Sequence, residues 1–166
     1  LCNPWPSLIW HTYDYYLYPA GTYFGMKKSL EPLHVQYSYK SREVIINNSL
    51  LTSSQGLTVQ ATVYNSDGTA KFHHTATESV GPDAIKRCFA IPEISGLDSL
   101  YFLRLELKDK TAKTISLNWY WLSKTKDSLN WKKSTWFYTP QSAYTNYQGL
   151  QNLPQTQIKI SNTSEK

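Results

Sequence analysis

Leu57-Thr58-Val59-Gln60-Ala61-Thr62-Val63-Tyr64, followed by Asn65-Ser66-Asp67-Gly68, decides the fold class. Side chains alternate across an extended strand, so Leu57, Val59, Ala61 and Val63 fall on one side and Thr58, Gln60, Thr62 and Tyr64 on the other. The next four residues predict a hairpin turn in which Gly68 accepts a positive φ. A half-buried strand ending in a tight turn is the repeating unit of an antiparallel β domain.

Outward from this stretch the same period of two recurs. On the N-terminal side Leu33, Val35, Tyr37 and Tyr39 alternate with His34, Gln36 and Ser38, and Val44, Ile46 and Leu50 continue the pattern beyond Ser41-Arg42. On the C-terminal side, strands are predicted at residues 71–77, 85–91, 100–107 and 114–122. Leu103, Leu105 and Leu107 point inward in the third of these. Ile115, Leu117, Trp119 and Trp121 share a face in the fourth, with Trp119 and Trp121 read as core. Seven short strands with turn signals between them and no Cys…Trp…Cys spacing predict a mainly β chain, an immunoglobulin-like antiparallel β-sandwich without the antibody disulfide.

Residues 7–31 break the pattern and predict a short N-terminal helical segment. Ser7 is placed as a cap, Ile9, Tyr13, Tyr16 and Leu17 form one stripe, and Pro19-Ala20-Gly21 is the stop. A second short helix is expected to start at Thr22, with Tyr23, Met26, Lys27 and Leu30 on one face, and to end before Pro32. Residues 123–134 read as a solvated loop. They lead to a second aromatic group, Trp136, Phe137, Tyr138, Tyr144 and Tyr147, and to an alternating strand at residues 157–161.

The 166 residues include 24 aromatic ones (6 Trp, 13 Tyr, 5 Phe), and eight of these fall among the first 24 positions. No apolar run is long enough to span a bilayer. The net charge of +5 comes from 14 Lys and 3 Arg scattered along the chain, which reads as solubility charge with no nucleic-acid groove. The opening residues Leu1-Cys2-Asn3-Pro4-Trp5-Pro6 resemble neither a signal peptide nor a natural start and are expected to be internal to a longer chain.

Candidate chemistry is sparse. Cys2 and Cys88 are far apart and fit neither a disulfide framework nor a zinc site. His73 and His74, as strand neighbours, face opposite sides and cannot share one ion; His11 and His34 have no partners at ligand spacing. Glu43, Glu78, Glu106 and Asp109 fall at strand ends or outward positions, and Glu31 and Glu93 adjoin prolines at element boundaries, so none reads as a catalytic carboxylate. No catalytic residue, metal or cofactor is assigned. Asn47-Asn48-Ser49 and Asn162-Thr163-Ser164 are glycosylation sequons of the kind that occur by chance. The rings remain the one strong chemical signal, suited both to packing between domains and to stacking on sugars.

The segment Asn3-Pro4-Trp5-Pro6-Ser7-Leu8-Ile9-Trp10-His11-Thr12-Tyr13-Asp14-Tyr15-Tyr16-Leu17-Tyr18-Pro19 resembles the end of the catalytic barrel in glycoside hydrolase family 2, in its exo-β-D-glucosaminidase and β-mannosidase-like branch. Tyr23-Phe24-Gly25-Met26-Lys27-Lys28 and the run Glu31 to Tyr39 are similar to that family's passage from barrel to immunoglobulin-like domain. Tyr101-Phe102-Leu103-Arg104-Leu105 and Trp119-Tyr120-Trp121-Leu122-Ser123 are similar to its last two strands, and Trp136-Phe137-Tyr138-Thr139-Pro140 and Leu153-Pro154 to the linker beyond.

The resemblance implies three parts: residues 1–31 the tail end of a catalytic barrel, 32–123 the sandwich, and 124–166 a linker with the first strand of a following sandwich domain. It implies a non-catalytic accessory domain of a retaining exo-β-glycosidase, secreted or periplasmic, whose glutamates lie elsewhere. Its partners would be the remaining domains of the same polypeptide. Carbohydrate would be met only through the intact enzyme, where Asn3 and Trp5 would line the sugar pocket at the barrel's C-terminal face. Nucleic acid and membrane are not expected partners. Two other functions fit the residues themselves: a carbohydrate-binding module with Trp131 or Trp136 as platform, and a cell-surface adhesion domain.

Overall fold

A computed structural model describes residues 12–157 and residue 159. One helix, α1 (Gly21–Ser29), precedes seven strands: β1 (Leu33–Tyr37), β2 (Glu43–Asn48), β3 (Ser54–Asn65), β4 (Ala70–Val80), β5 (Ala84–Ala90), β6 (Leu100–Lys108) and β7 (Thr114–Ser123). They form two antiparallel sheets, β1-β2-β5 and β4-β3-β6-β7, packed as a sandwich. The seven strands expected from the alternating pattern are all present.

The register explains the core. Val59, Ala61 and Val63 on β3 sit opposite Leu107, Leu105 and Leu103 on β6, and all six are essentially inaccessible to solvent. Val35, Val44 and Ile46 meet them from the other sheet. Each fully buried Leu or Val of this set contributes about 1.5–3 kcal/mol relative to an exposed position. The β3–β4 hairpin turns at Asn65-Ser66-Asp67-Gly68, where Gly68 has φ +85° and its N–H donates to the Asn65 carbonyl (3.0 Å). Leu50, expected to continue the inward pattern of β2, is exposed; Asn48 holds the buried position and donates to the carbonyls of Thr52 (2.8 Å) and Gly81 (2.7 Å).

Strand β7 corrects one expectation. Leu117, Trp119 and Trp121 share a face, but it is the outer face: Trp119 is 49% and Trp121 58% exposed. Ile115, next to a register irregularity, packs on the core. The inward row is Ser116, Asn118, Tyr120 and Leu122, opposite Leu107, Leu105, Leu103 and Tyr101. Its polar members are accommodated by hydrogen bonds to β1, to Glu31 just before β1, and within β7 itself. The Tyr37 N–H and Asn118 Nδ2 both donate to the Tyr120 hydroxyl (3.0 Å each), and Ser116 Oγ donates to Glu31 (2.8 Å).

The N-terminal expectations also change. Residues 13–19 form a closed loop, with Tyr13 bridged to Pro19, Asp14 N–H donating to the Tyr18 carbonyl (3.0 Å) and Leu17 at φ 66°. The local hydrogen bonds of Asp14, which accepts from the Tyr16 and Tyr18 N–H groups (2.9 Å each), outcompete the helical stripe. Helix α1 begins at Gly21 with Ala20 at its cap and no side-chain capping bond, so Thr22 lies inside it. Ser7 and Ile9 lie outside the described residues. Beyond β7, the segment expected to be a solvated loop contains half of a small ladder, β8 (Ser128–Leu129) pairing with β9 (Gln141–Ala143). The strand expected at residues 157–161 lies largely outside the described residues.

Candidate functional site

Asn3 and Trp5, the two residues assigned to a sugar pocket by resemblance, lie outside the described residues, as do Cys2, His11 and the second sequon. The other candidates can be located individually. His34 is buried, its Nδ1 2.6 Å from the Glu31 carbonyl oxygen. His73 pairs with the hydroxyls of Thr62 (3.0 Å) and Thr75 (3.2 Å), whereas His74 packs edge-on against Phe89 in the opposite sheet, ring centroids 4.4 Å apart. The two imidazoles thus face opposite sides of β4. Among the described residues no group of three or more His, Cys, Asp or Glu is placed to hold a metal ion. Burial and the nearby Glu78 push the half-buried Cys88 thiol up to about 11, which leaves it protonated and unreactive at neutral pH.

The acids serve structural roles. Glu43 pairs with Arg87 (3.1 Å), Glu78 with Lys86 (3.4 Å) and Glu93 with Arg42 (3.4 Å). Asp109 accepts from the Thr111 hydroxyl and from the Lys113 N–H in the β6–β7 turn. Glu106 departs from the solvated position expected of it and is only 7% exposed. Arg104 (2.8 Å) and Lys108 (3.6 Å) flank it on its own strand, and Thr114 Oγ1 donates to it from β7 (2.5 Å). Burial acts to raise its pKa, but the Thr114 hydrogen bond and the two cations outweigh burial and hold the carboxyl below its ordinary value. Glu31 shows the same balance: burial raises, while Lys28 (2.7 Å) and Ser116 lower, and the net direction is down. A carboxylate held ionised by fixed cations serves poorly as the proton donor a glycosidase requires.

Among the described residues, several groups of rings stand out. On the outer face of the four-stranded sheet, Trp119 stacks on Tyr64 (centroids 6.0 Å, 28° between planes), with the Arg104 guanidinium 5.9 Å from the indole. At the seam between the sheets Tyr37, Tyr39 and Tyr120 meet edge to face at 5.5–5.9 Å. Burial raises the hydroxyl pKa of all three. Finally, Tyr15, Tyr16, Tyr18 and Phe24 are exposed around α1, a helix with no buried side chain. The seam cluster was not legible in the sequence, because Tyr120 lies 83 positions beyond Tyr37 and meets it only when β1 closes against β7.

No family model matches the chain. It is 43% identical over 95% of its length to a protein of Amycolatopsis orientalis named exo-β-D-glucosaminidase, of which it covers 16%. The solved structure of the exo-chitosanase CsxA from the same organism superposes with a TM-score of 0.86 at 44% identity, over 93% of this chain and 18% of that one. A mannosylglycoprotein endo-β-mannosidase of Lilium longiflorum is more distant, at 27% identity over 72% of the chain. The chain therefore spans less than one fifth of the length of these relatives. By sequence and by fold it is a homologue of a segment of the exo-β-D-glucosaminidases.

Proposed function

We propose that the chain acts as a non-catalytic, immunoglobulin-like accessory unit of a multidomain retaining exo-β-glycosidase of the glucosaminidase type, bracing the catalytic barrel. In this reading residues 1–31 close the barrel, with Asn3 and Trp5 at its sugar pocket, 32–123 form the accessory sandwich, and 124–166 lead to a further domain. The catalytic carboxylates belong to the rest of the same polypeptide, in a secreted or periplasmic setting.

The observation that carries the reading is helix α1. Nine residues are too few for a helix to be stable alone in water, α1 has neither a buried side chain nor a side-chain cap, and it carries exposed Phe24 directly after a loop that exposes Tyr15, Tyr16 and Tyr18. A ring-rich surface of this kind is built to be covered by another domain. The homology to less than one fifth of much larger glycosidases supplies the domain that would cover it. The purified 166-residue chain is expected to release no p-nitrophenol from p-nitrophenyl β-D-glucosaminide or β-D-mannoside; sustained turnover would overturn the reading.

A second reading, a carbohydrate-binding module, draws on Trp131 (71% exposed) and Trp136 (94% exposed). It requires that binding of chito-oligosaccharides be lost in Trp131→Ala or Trp136→Ala.

A further inference from the structure

A cleft of about 620 Å³ opens at one end of the sandwich, between the turn after β1, the start of β6, the end of β7 and the segment that returns through Tyr147. Its floor is Tyr37 and Tyr101, both half-buried, with hydroxyl pKa values raised by burial. Its rim carries three exposed rings, Tyr39, Trp121 and Tyr147. The Tyr147 hydroxyl donates to the Trp121 carbonyl (3.4 Å), and Asp127 accepts the Thr145 N–H (2.7 Å), so the returning segment is fastened as one wall. Gly149 continues that fastening: a Cβ there would come within 3.2 Å of the buried Leu100 side chain.

Between the rings stand Arg42, Glu93, Lys124, Lys126 and Asp127. Arg42 is bonded to the Pro92 carbonyl and to Glu93, and Lys124 to the Leu97 carbonyl. Lys, Glu and Asp are depleted from the cores of protein–protein interfaces, so Glu93, Lys124, Lys126 and Asp127 within one cleft argue against a protein surface as occupant. Polar groups interleaved with exposed ring faces match a ligand whose own surface alternates apolar faces with hydroxyl edges. The two carboxylates disfavour a phosphate backbone, and the excess of cations over carboxylates, together with the chain's net +5, disfavours a polyammonium sugar.

The geometry points to a binding site for a neutral oligosaccharide, stacked on Tyr39, Trp121 and Tyr147, with its hydroxyls met by Asp127, Glu93 and Arg42. This site is distinct from Trp131 and Trp136 and does not depend on the accessory role; a turnover assay tests that role and leaves this site untouched.

The test is calorimetric and tryptophan-fluorescence titration of the whole chain with cellohexaose, N-acetylchitohexaose and hexaglucosamine at pH 5.5. Saturable binding of the two neutral hexasaccharides is expected, with hexaglucosamine weaker and the difference shrinking as salt is added. Trp121→Ala should weaken neutral binding about tenfold, the loss of one stacked ring, while Trp136→Ala leaves it within about twofold. Tyr39→Ala, in an exposed turn, reports the same effect should Trp121→Ala alter the circular dichroism. Absence of saturable binding by the neutral sugars, unchanged affinity in a folded Tyr39→Ala or Trp121→Ala, or tighter binding of hexaglucosamine would each overturn the site.

Discussion

Glu106 shows how a single residue can look ordinary in a sequence and be decisive in a fold. Alternation with Leu105 and Leu107 places it on the outer face, which is correct, yet it is almost inaccessible because Arg104, Lys108 and Thr114 close over it. Its folded pKa lies below the ordinary 4.5. The stability it contributes is therefore fully present above that value and is lost as pH falls through the depressed folded pKa. Glu106→Gln, which strands two cations beside a neutral amide, is expected to cost about 2 kcal/mol at pH 7 by urea denaturation. The gap from the parent should close progressively below pH 4.5, and a pH-independent difference would refute the assignment.

At the scale of the element, β7 carries the principal correction. The period of two was legible, and so was the grouping of Leu117, Trp119 and Trp121, but the side they occupy was not. Apolar residues line both of its faces, and choosing the larger ones as core ignores the hydrogen bonds that let Ser116, Asn118 and Tyr120 turn inward toward β1. The assignment has an energetic consequence. Trp119→Ala should cost about 1 kcal/mol, the value of its contacts with Tyr64 and Arg104, whereas Leu105→Ala, deep in the core, should cost about 3 kcal/mol. Thermal melts of the two variants decide the matter; a Trp119→Ala loss equal to that of Leu105→Ala would return the indole to the interior. Helix α1 makes the same point in reverse, since its spacing marked a helix, but among the described residues its stripe is met only by the loop before it, Tyr23 against Tyr13 and Met26 against Thr12, and none of its side chains is buried.

For the whole molecule, the exposed rings around α1 set the expected solution behaviour. Exposed apolar rings close together in the chain favour self-association, so sedimentation velocity should show concentration-dependent assembly, relieved in Phe24→Ser combined with Tyr16→Ser. A monomer at every concentration would argue that the surface is too polar to need cover. The sandwich itself was readable from sequence because alternation is a local consequence of strand geometry, and residues 57–68 state it without outside help. The family resemblance in the first 39 residues and the match to exo-β-D-glucosaminidases were likewise properties of the linear chain. Tertiary structure alone decided which face of β7 is core, that Glu106 is enclosed, and that Tyr37, Tyr101, Trp121 and Tyr147 converge on one cleft. Each of these depends on which strand edges meet and on where a polar side chain finds its partner, and those partners lie up to 85 positions away along the chain.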